Sequence, residues 1–460
     1  VTITTSLDDL AAICEGRVLQ AGDDGYDEVC ACWNLAWTHR PAVVVQAAGE
    51  ADVVYAVRHA AARGWAVAVQ TTGHGVTVPA DEHSLLLVTG ALDRVRIDPV
   101  SRTAAIGGGI TWTSVLAAAQ EQQLAPLLGS APHVGAVGYS LGGGFGWLAR
   151  AYGLAVDSIR SLRVVLADGR VITTSPQDEP ELFWAMCGTT GSALGVVVEM
   201  TVALHPVDQV YGGDLFYALP DAREVFEFYG DWINRAPSEL TSAFNITAFP
   251  PLEMVPEPLR GQTFAIVRGC FAGEMEAGRE LVDQWRSWRT PLMDTWAPMP
   301  FSQVAQISMD PVDPVPAASS GRWLATLGPQ VPEVMLEAIA GPSPMLFAEV
   351  RHAGGAIRRD NPAVSFAARD ARYCLELVGM IPSAEADAEL ERRFEHAWRR
   401  LAPHLSDLCG YLNFAEGTER VQLAARAFPA ETQARLAAAK RRYDPDDVFR
   451  HSISLTAPVR

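Results

Sequence analysis

The sequence predicts an α+β fold in two parts, on three observations. Near the N-terminus a strand, a helix and a second strand follow one another (42–48, 50–63, 65–69), the pattern of a βαβ unit. Beyond residue 206, strand-length apolar runs alternate with helix-length segments, the pattern of an α+β domain built on one antiparallel sheet. A chain of 460 residues, 49% hydrophobic and 20% charged, is long enough to bury large cores in two or three domains.

Taken in order, residues 1 to about 40 read as a helical approach segment ending at Arg40-Pro41. The helix at 50–63 is closed by Gly64, and the buried strand 65–69 runs into the turn Gln70-Thr71-Thr72-Gly73-His74-Gly75. Strands follow at 84–88, 94–98 and 102–107, then a helix from Thr111. A hairpin spans 161–174, with Asp168-Gly169 as a two-residue turn, and a strand at 196–204 ends this part before Pro206. The second part carries strands at 214–218, 241–247, 263–269, 345–351 and 373–378, with helices near 221–235, 273–288 and 331–339. Its proline-rich passage, 291–316, reads as an ordered loop or lid, and a helix at 430–441 lies in the tail. The expected division is 1–205, 206–409, and a segment 410–460 returning to the first domain.

A net charge of −18 argues against nucleic acid or an anionic membrane surface as partner. No window approaches 18 unbroken apolar residues, and the N-terminus has no leader pattern, so a cytoplasmic protein is expected, as monomer or homodimer. Seven cysteines without a CxxC pair read as reduced thiols, and no metal site is expected. Lys440 is the only lysine.

The 70–75 turn ends a strand with small residues whose N–H groups can converge on an anion, and one histidine, His74, projects from it. A second stretch, Gly129 to Gly146, holds seven glycines in 18 residues with few charges. Such a run suits backbone packed closely against a large flat ligand.

With these features the sequence resembles the FAD-linked oxidases of the berberine-bridge-enzyme-like branch of the vanillyl-alcohol-oxidase superfamily. The resemblance rests on Gly73-His74, Val134-Gly135-x-x-Gly138, Leu141-Gly-Gly-Gly-Phe-Gly146, Tyr152-Gly153-Leu-Ala-Val-Asp157, Glu181-Leu-Phe-Trp184, Gly191-x3-Gly195-Val-Val197 and Tyr443-Asp-Pro-Asp-Asp-Val-Phe-Arg450. It implies a two-part PCMH-type FAD-binding domain beside an α+β substrate domain with an antiparallel sheet. It implies FAD as cofactor, joined at its 8α carbon to His74. Cofactor contacts are implied for Gln70, Thr71, Thr72, Gly73, Gly75, Gly129, Ser130, Val134, Gly135, Gly138, Gly142, Gly144, Gly195, Val197, Tyr411 and Asn413.

Two departures matter. Ala131 stands where many members carry a cysteine that makes a second flavin bond, so the pattern is that of singly histidyl-linked members. Phe414 stands where alcohol and sugar oxidases carry a tyrosine base, and phenylalanine takes no proton. Glu349, on an otherwise apolar strand, is the expected base with a raised pKa; pairing with an arginine on the solvent face is the competing reading. His133 and Tyr139, flanking the glycine run, are expected to hydrogen-bond a substrate carbonyl or enolate, or else to serve structure. Phe244 and Phe249 read as pocket lining or core. The expected activity is oxidation of a small secondary metabolite, polyketide or aromatic, by molecular oxygen, extending to an oxygenase working through an oxygenated flavin. The alternatives are an amine or alcohol oxidase making hydrogen peroxide, and a flavin-binding protein without turnover.

Overall fold

The computed structural model describes residues 6–253 and 255–455, folded around three sheets. In the first, strands Val43–Gln46, Ser84–Val88 and Ala66–Gln70 run parallel, with Arg17–Leu19 antiparallel at one edge. The helix Glu50–Ala62 completes the expected βαβ unit, but Ser84–Val88 lies between its two strands. Continuous apolar runs such as Val43-Val44-Val45 are what a parallel sheet covered on both faces requires. The approach segment is only partly helical: helices Leu7–Ile13 and Tyr26–Cys30 flank the edge strand.

The second sheet is antiparallel, in the order Val95–Asp98, Thr103–Gly107, Val196–Ala203, Ile159–Val165, Val171–Thr174. The hairpin between the last two is as expected, but its turn is not. Gly169 N–H donates to Leu166 O at 2.8 Å with φ +74°, so the reversal is a three-residue turn with a left-handed glycine.

The third sheet has nine strands, all antiparallel, from Met293–Asp294 at one edge to Leu405–Ala415 at the other. Alternation gives its faces opposite characters. On one, Phe244, Val267, Val350, Leu375 and Leu377 pack on helices Ala222–Ile233, Met275–Trp288, Gln330–Ile339 and Ala384–Leu401. Phe244 is therefore core, and Phe249 packs with Phe216 and Phe264 rather than on the cavity. The other face carries Asp214, Asn245, Arg268, Glu349, Arg351 and Glu376, all buried.

Position 205/206 falls between the second and third sheets. Position 409/410 falls inside the strand Leu405–Ala415, which pairs with Ala317–Leu324, so the substrate sheet extends past it before the chain turns back. The return is fixed by Lys440, which is buried and whose Nζ donates to Ala193 O at 2.9 Å and to Asp444 at 2.6 Å. The proline-rich passage is ordered: Ala297–Pro300 pairs with Gln209–Ala218, and a 3-10 helix spans Phe301–Gln306. No helix among the described residues is long and apolar enough to cross a membrane.

Candidate active site

A cavity of about 430 Å³ runs between the 70–78 turn, the 129–141 stretch, the 190–197 loop and the polar face of the third sheet. The turn leaves the strand Ala66–Gln70 at Thr71, whose hydroxyl lies 2.9 Å from that of Thr89. Gly73 has φ +74°, and a Cβ there would stand 2.7 Å from Cys32 Cα, so only glycine fits. The N–H groups of Thr72, Gly73, His74 and Gly75 donate to no acceptor among the described residues. Four uncommitted donors in one turn make a binding place for an anion.

His74 stacks on Trp33 (centroids 4.2 Å apart, 14° between planes), with His133 at 5.0 Å. Thr72 Oγ1 lies 2.7 Å from Nδ1, whereas the buried Nε2 has no partner. Burial, reinforced by His133, pulls the His74 pKa down to about 3, so the ring is neutral through the physiological range. Burial likewise lowers His133.

Thr71, Thr72, Gly73, Gly75, Gly129, Ser130, Val134, Gly135, Gly138, Gly195, Val197 and Asn413 line this cavity with His74, His133 and Tyr139. The Gly138 position opens into space, since a Cβ would meet nothing within 4 Å. Asn413 Nδ2 donates to Tyr139 O at 3.0 Å, and the buried Tyr139 hydroxyl has no partner. Burial also raises its pKa.

One expectation is qualified and three need correction. Gln70 lines the cavity, but its amide is spent on the N-terminal segment, donating to Val29 O and Ala31 O at 3.2 Å each. Gly142 and Gly144 do not line it. A Cβ at Gly142 would stand 1.9 Å from Asn413 Oδ1, and one at Gly144 would strike Ala155 and Tyr139, so both serve packing. Tyr411 sits behind the lining, against Trp323, Phe366 and Phe414.

Glu349 is the fourth. It is on the polar sheet face but outside the cavity, 2% exposed. Arg351 Nε donates to it at 2.6 Å, Asn245 Nδ2 at 3.1 Å, and Arg268 lies at 3.5 Å. Burial alone would raise its pKa, but the charges of Arg351 and Arg268 and the bonds from Arg351 and Asn245 hold it below the ordinary carboxyl value. The arginine pairing is real, but it is buried and not on a solvent face.

The carboxyls that do reach the cavity are Glu376, Glu416 and Asp310, with the guanidiniums of Arg351 and Arg420. Glu376 is the register partner of Glu349 on the neighbouring strand. Burial drives its pKa up to about 8 against the pull of Arg351, with Glu349, Asp310 and Glu416 adding to the rise. Burial raises Glu416 to about 7; it accepts from Asn34 at 3.1 Å and Ser319 at 3.3 Å. Arg420 is buried and donates to Gly75 O and Ala415 O, tying the turn to the C-terminal part. One signal could have found Glu376: both faces of its strand read apolar (Tyr373, Leu375, Leu377; Cys374, Val378), so a carboxylate there has no solvent face to occupy.

Comparison with known proteins puts names to this arrangement. Residues 41–175 match the FAD binding domain, and residues 410–456 match the family described as berberine and berberine like. The chain is 27% identical over 456 residues to (R)-6-hydroxynicotine oxidase of Paenarthrobacter nicotinovorans, covering 96% of each. It is 26% identical over 450 residues to an FAD-linked oxidoreductase of Dictyostelium discoideum, covering 96% of this chain and 94% of the other. Among solved structures, 6-hydroxy-D-nicotine oxidase from Arthrobacter nicotinovorans superposes with a TM-score of 0.84 at 24% identity, covering 99% of both chains. Berberine bridge enzyme from Eschscholzia californica superposes at 0.82 and 18% identity, covering 99% of this chain and all of the other.

The site fits a flavin dinucleotide on its own geometry. Uncommitted N–H groups at 72–75 suit a diphosphate, and His74, whose Nε2 has no partner, lines with them one continuous cavity rich in small residues.

Proposed function

We propose that this FAD-dependent oxidoreductase belongs to the berberine-bridge-enzyme-like family, on the strength of its matches to the FAD binding and berberine-like families, and that His74 carries FAD through a single covalent bond. A small organic substrate is oxidised at the acidic end of the same cavity, and molecular oxygen is the final electron acceptor. The observation that carries this reading is that His74, whose Nε2 has no partner, and Glu376 line one cavity.

Bound FAD supplies the two-electron acceptor. The chain's own residues do the rest. Thr72 fixes the imidazole by its contact with Nδ1 and leaves Nε2 without a protein partner. Ala131 has no sulfur, so a thioether at that position is excluded. Glu376, with a pKa near 8, exchanges a proton with substrate close to neutrality, the task first assigned to Glu349. Tyr139 packs its ring under the glycine run, close to Gly129, Gly144 and Gly146, and so sets the floor of this part of the cavity. Phe414 contributes apolar surface to the lining.

The oxidase named among the relatives supports a reaction that returns electrons to oxygen as hydrogen peroxide; an oxygenase acting on a polyketide or aromatic metabolite is the competing outcome. Anaerobic mixing of the purified flavoprotein with (R)-6-hydroxynicotine and a panel of aromatic amines, alcohols and ketones tests the proposal. Bleaching of the yellow colour, restored by air, is the expected result. Isotopically labelled oxygen then separates the outcomes, with label in peroxide for the oxidase and in product for the oxygenase. A preparation without flavin would overturn the proposal.

A further inference from the structure

One aromatic residue beside His74 has no part in the apolar packing of the fold. Trp33 is half-buried and belongs to none of the apolar cores among the described residues. Its ring contacts are two imidazoles: His74, stacked at 4.2 Å and 14°, and His133 at 5.5 Å and 33°. The residue is itself held from two sides. Its backbone N–H donates to Thr72 O at 3.0 Å and that of Asn34 to Gly73 O at 3.2 Å, so the 33–34 segment lies along the turn that carries His74. On the other side the indole Nε1 donates to Val312 O at 3.0 Å, in the proline-rich passage. That passage is fixed in turn by Leu35 N–H on Val315 O at 3.1 Å and by Asn34 Nδ2 on Ala317 O at 2.8 Å. A ring pinned at its main chain and at its indole nitrogen keeps one orientation and imposes it on the group stacked against it.

The His74 imidazole thus has its plane set by Trp33 and its rotation by Thr72 Oγ1, 2.7 Å from Nδ1, while Nε2 has no partner. When Nδ1–H donates to Thr72, the lone pair is on Nε2. Resting on the reading of His74 as the covalent anchor of FAD, we propose that Trp33 is a positioning residue for the attachment step, holding the imidazole in one plane so that the bond forms from an ordered nucleophile. The N–C bond forms as an imidazole N–H and a C–H of the 8α methyl break. The two protons and two electrons released reduce the flavin, which oxygen re-oxidises to give hydrogen peroxide. A ring free to tilt is mostly away from the reactive orientation, and that loss falls on the rate of bonding rather than on how tightly FAD is held.

The full chain, produced in flavin-starved cells, is mixed with FAD in air and sampled over time, and the flavin that stays with the acid-precipitated protein is measured. At saturating FAD, W33A and W33L should form acid-stable flavin more slowly than wild type by about tenfold or more. W33F, which restores an aromatic face without the N–H, should return to within about threefold of wild type. The FAD concentration giving half the limiting rate should move by less than about threefold in all three, because orientation and not binding is lost. Circular dichroism reports the fold of each variant, and either aliphatic variant decides the question where the other does not fold. Attachment by W33A and W33L at the wild-type rate, equal slowing of W33F, or an effect confined to the half-saturating concentration would overturn the inference, as would loss of fold in both aliphatic variants. A wild type that never holds acid-stable flavin would overturn the reading of His74, and this inference with it. Acid-stable flavin in the wild type beside unslowed variants would overturn the role of Trp33 alone.

Discussion

At one end of the cavity the lining is mostly main chain and small side chains from two contiguous stretches, 70–78 and 129–141. At the other it is ionisable side chains, delivered singly by strands Met345–His352 and Tyr373–Met380, by the loop holding Asp310, and by Glu416 beyond the edge strand. The first end needs closely spaced N–H donors and the absence of side chains, which a short local sequence can specify. The second needs charges held at fixed places in a dry setting, which only a register between distant strands can specify. Placing Glu349 opposite Glu376, with Arg351 on Glu349, puts one carboxylate behind the arginine and leaves the other facing the cavity.

Substitutions at the two ends should therefore fail in different ways. The largest effect is expected at the acidic end: E376Q should keep its flavin and slow flavin reduction by about 10²-fold or more, read by anaerobic stopped flow. G138V, which projects a side chain into open cavity space, should do the reverse and lose bound flavin in the purified protein, read from the visible absorbance per protein. R351M leaves Glu349 buried with a weakened set of partners and should cost about 3–5 kcal/mol in denaturant unfolding. E349Q should lower stability too, yet leave the rate of flavin reduction within about threefold, because that carboxylate does not reach the cavity.

A smaller, graded effect is expected with pH. Glu376 and Glu416 have folded-state pKa values raised by burial to about 8 and about 7. A carboxyl whose pKa is higher in the folded chain binds more protons there than in the unfolded chain, so stability falls as pH climbs from about 4.5 to 8. The difference in melting temperature between wild type and E376Q should therefore shift against the wild type as pH rises across that window. The smallest effect should be that of T72A, which removes the contact to His74 Nδ1 and should cost about 0.5–1.5 kcal/mol.

This contrast also explains what could be read from the sequence. The βαβ unit, the 70–75 turn, the glycine run and the antiparallel character of the second part are local patterns, and all are present. Gly142 and Gly144 were misread because a run of glycines does not say which of them face ligand and which admit a neighbour such as Asn413. The helix Ala384–Leu401 and the strands Ala317–Leu324 and Leu405–Ala415 went unread, and with them the means of locating Glu416. Glu349 was a natural choice on periodicity, but periodicity fixes only the face of a strand. Whether a carboxylate on that face meets a ligand or a guanidinium depends on residues such as Arg268, distant in sequence and in register only through the assembled sheet.

The account turns on His74, and one measurement tests it directly. The purified protein is precipitated in acid, washed, digested with protease, and its peptides are weighed by mass spectrometry. A yellow pellet, with a flavin adduct on the peptide containing His74 and none on the peptide containing Ala131, is the predicted result. FAD released into the supernatant, with an unmodified His74 peptide, would contradict the proposed covalent attachment.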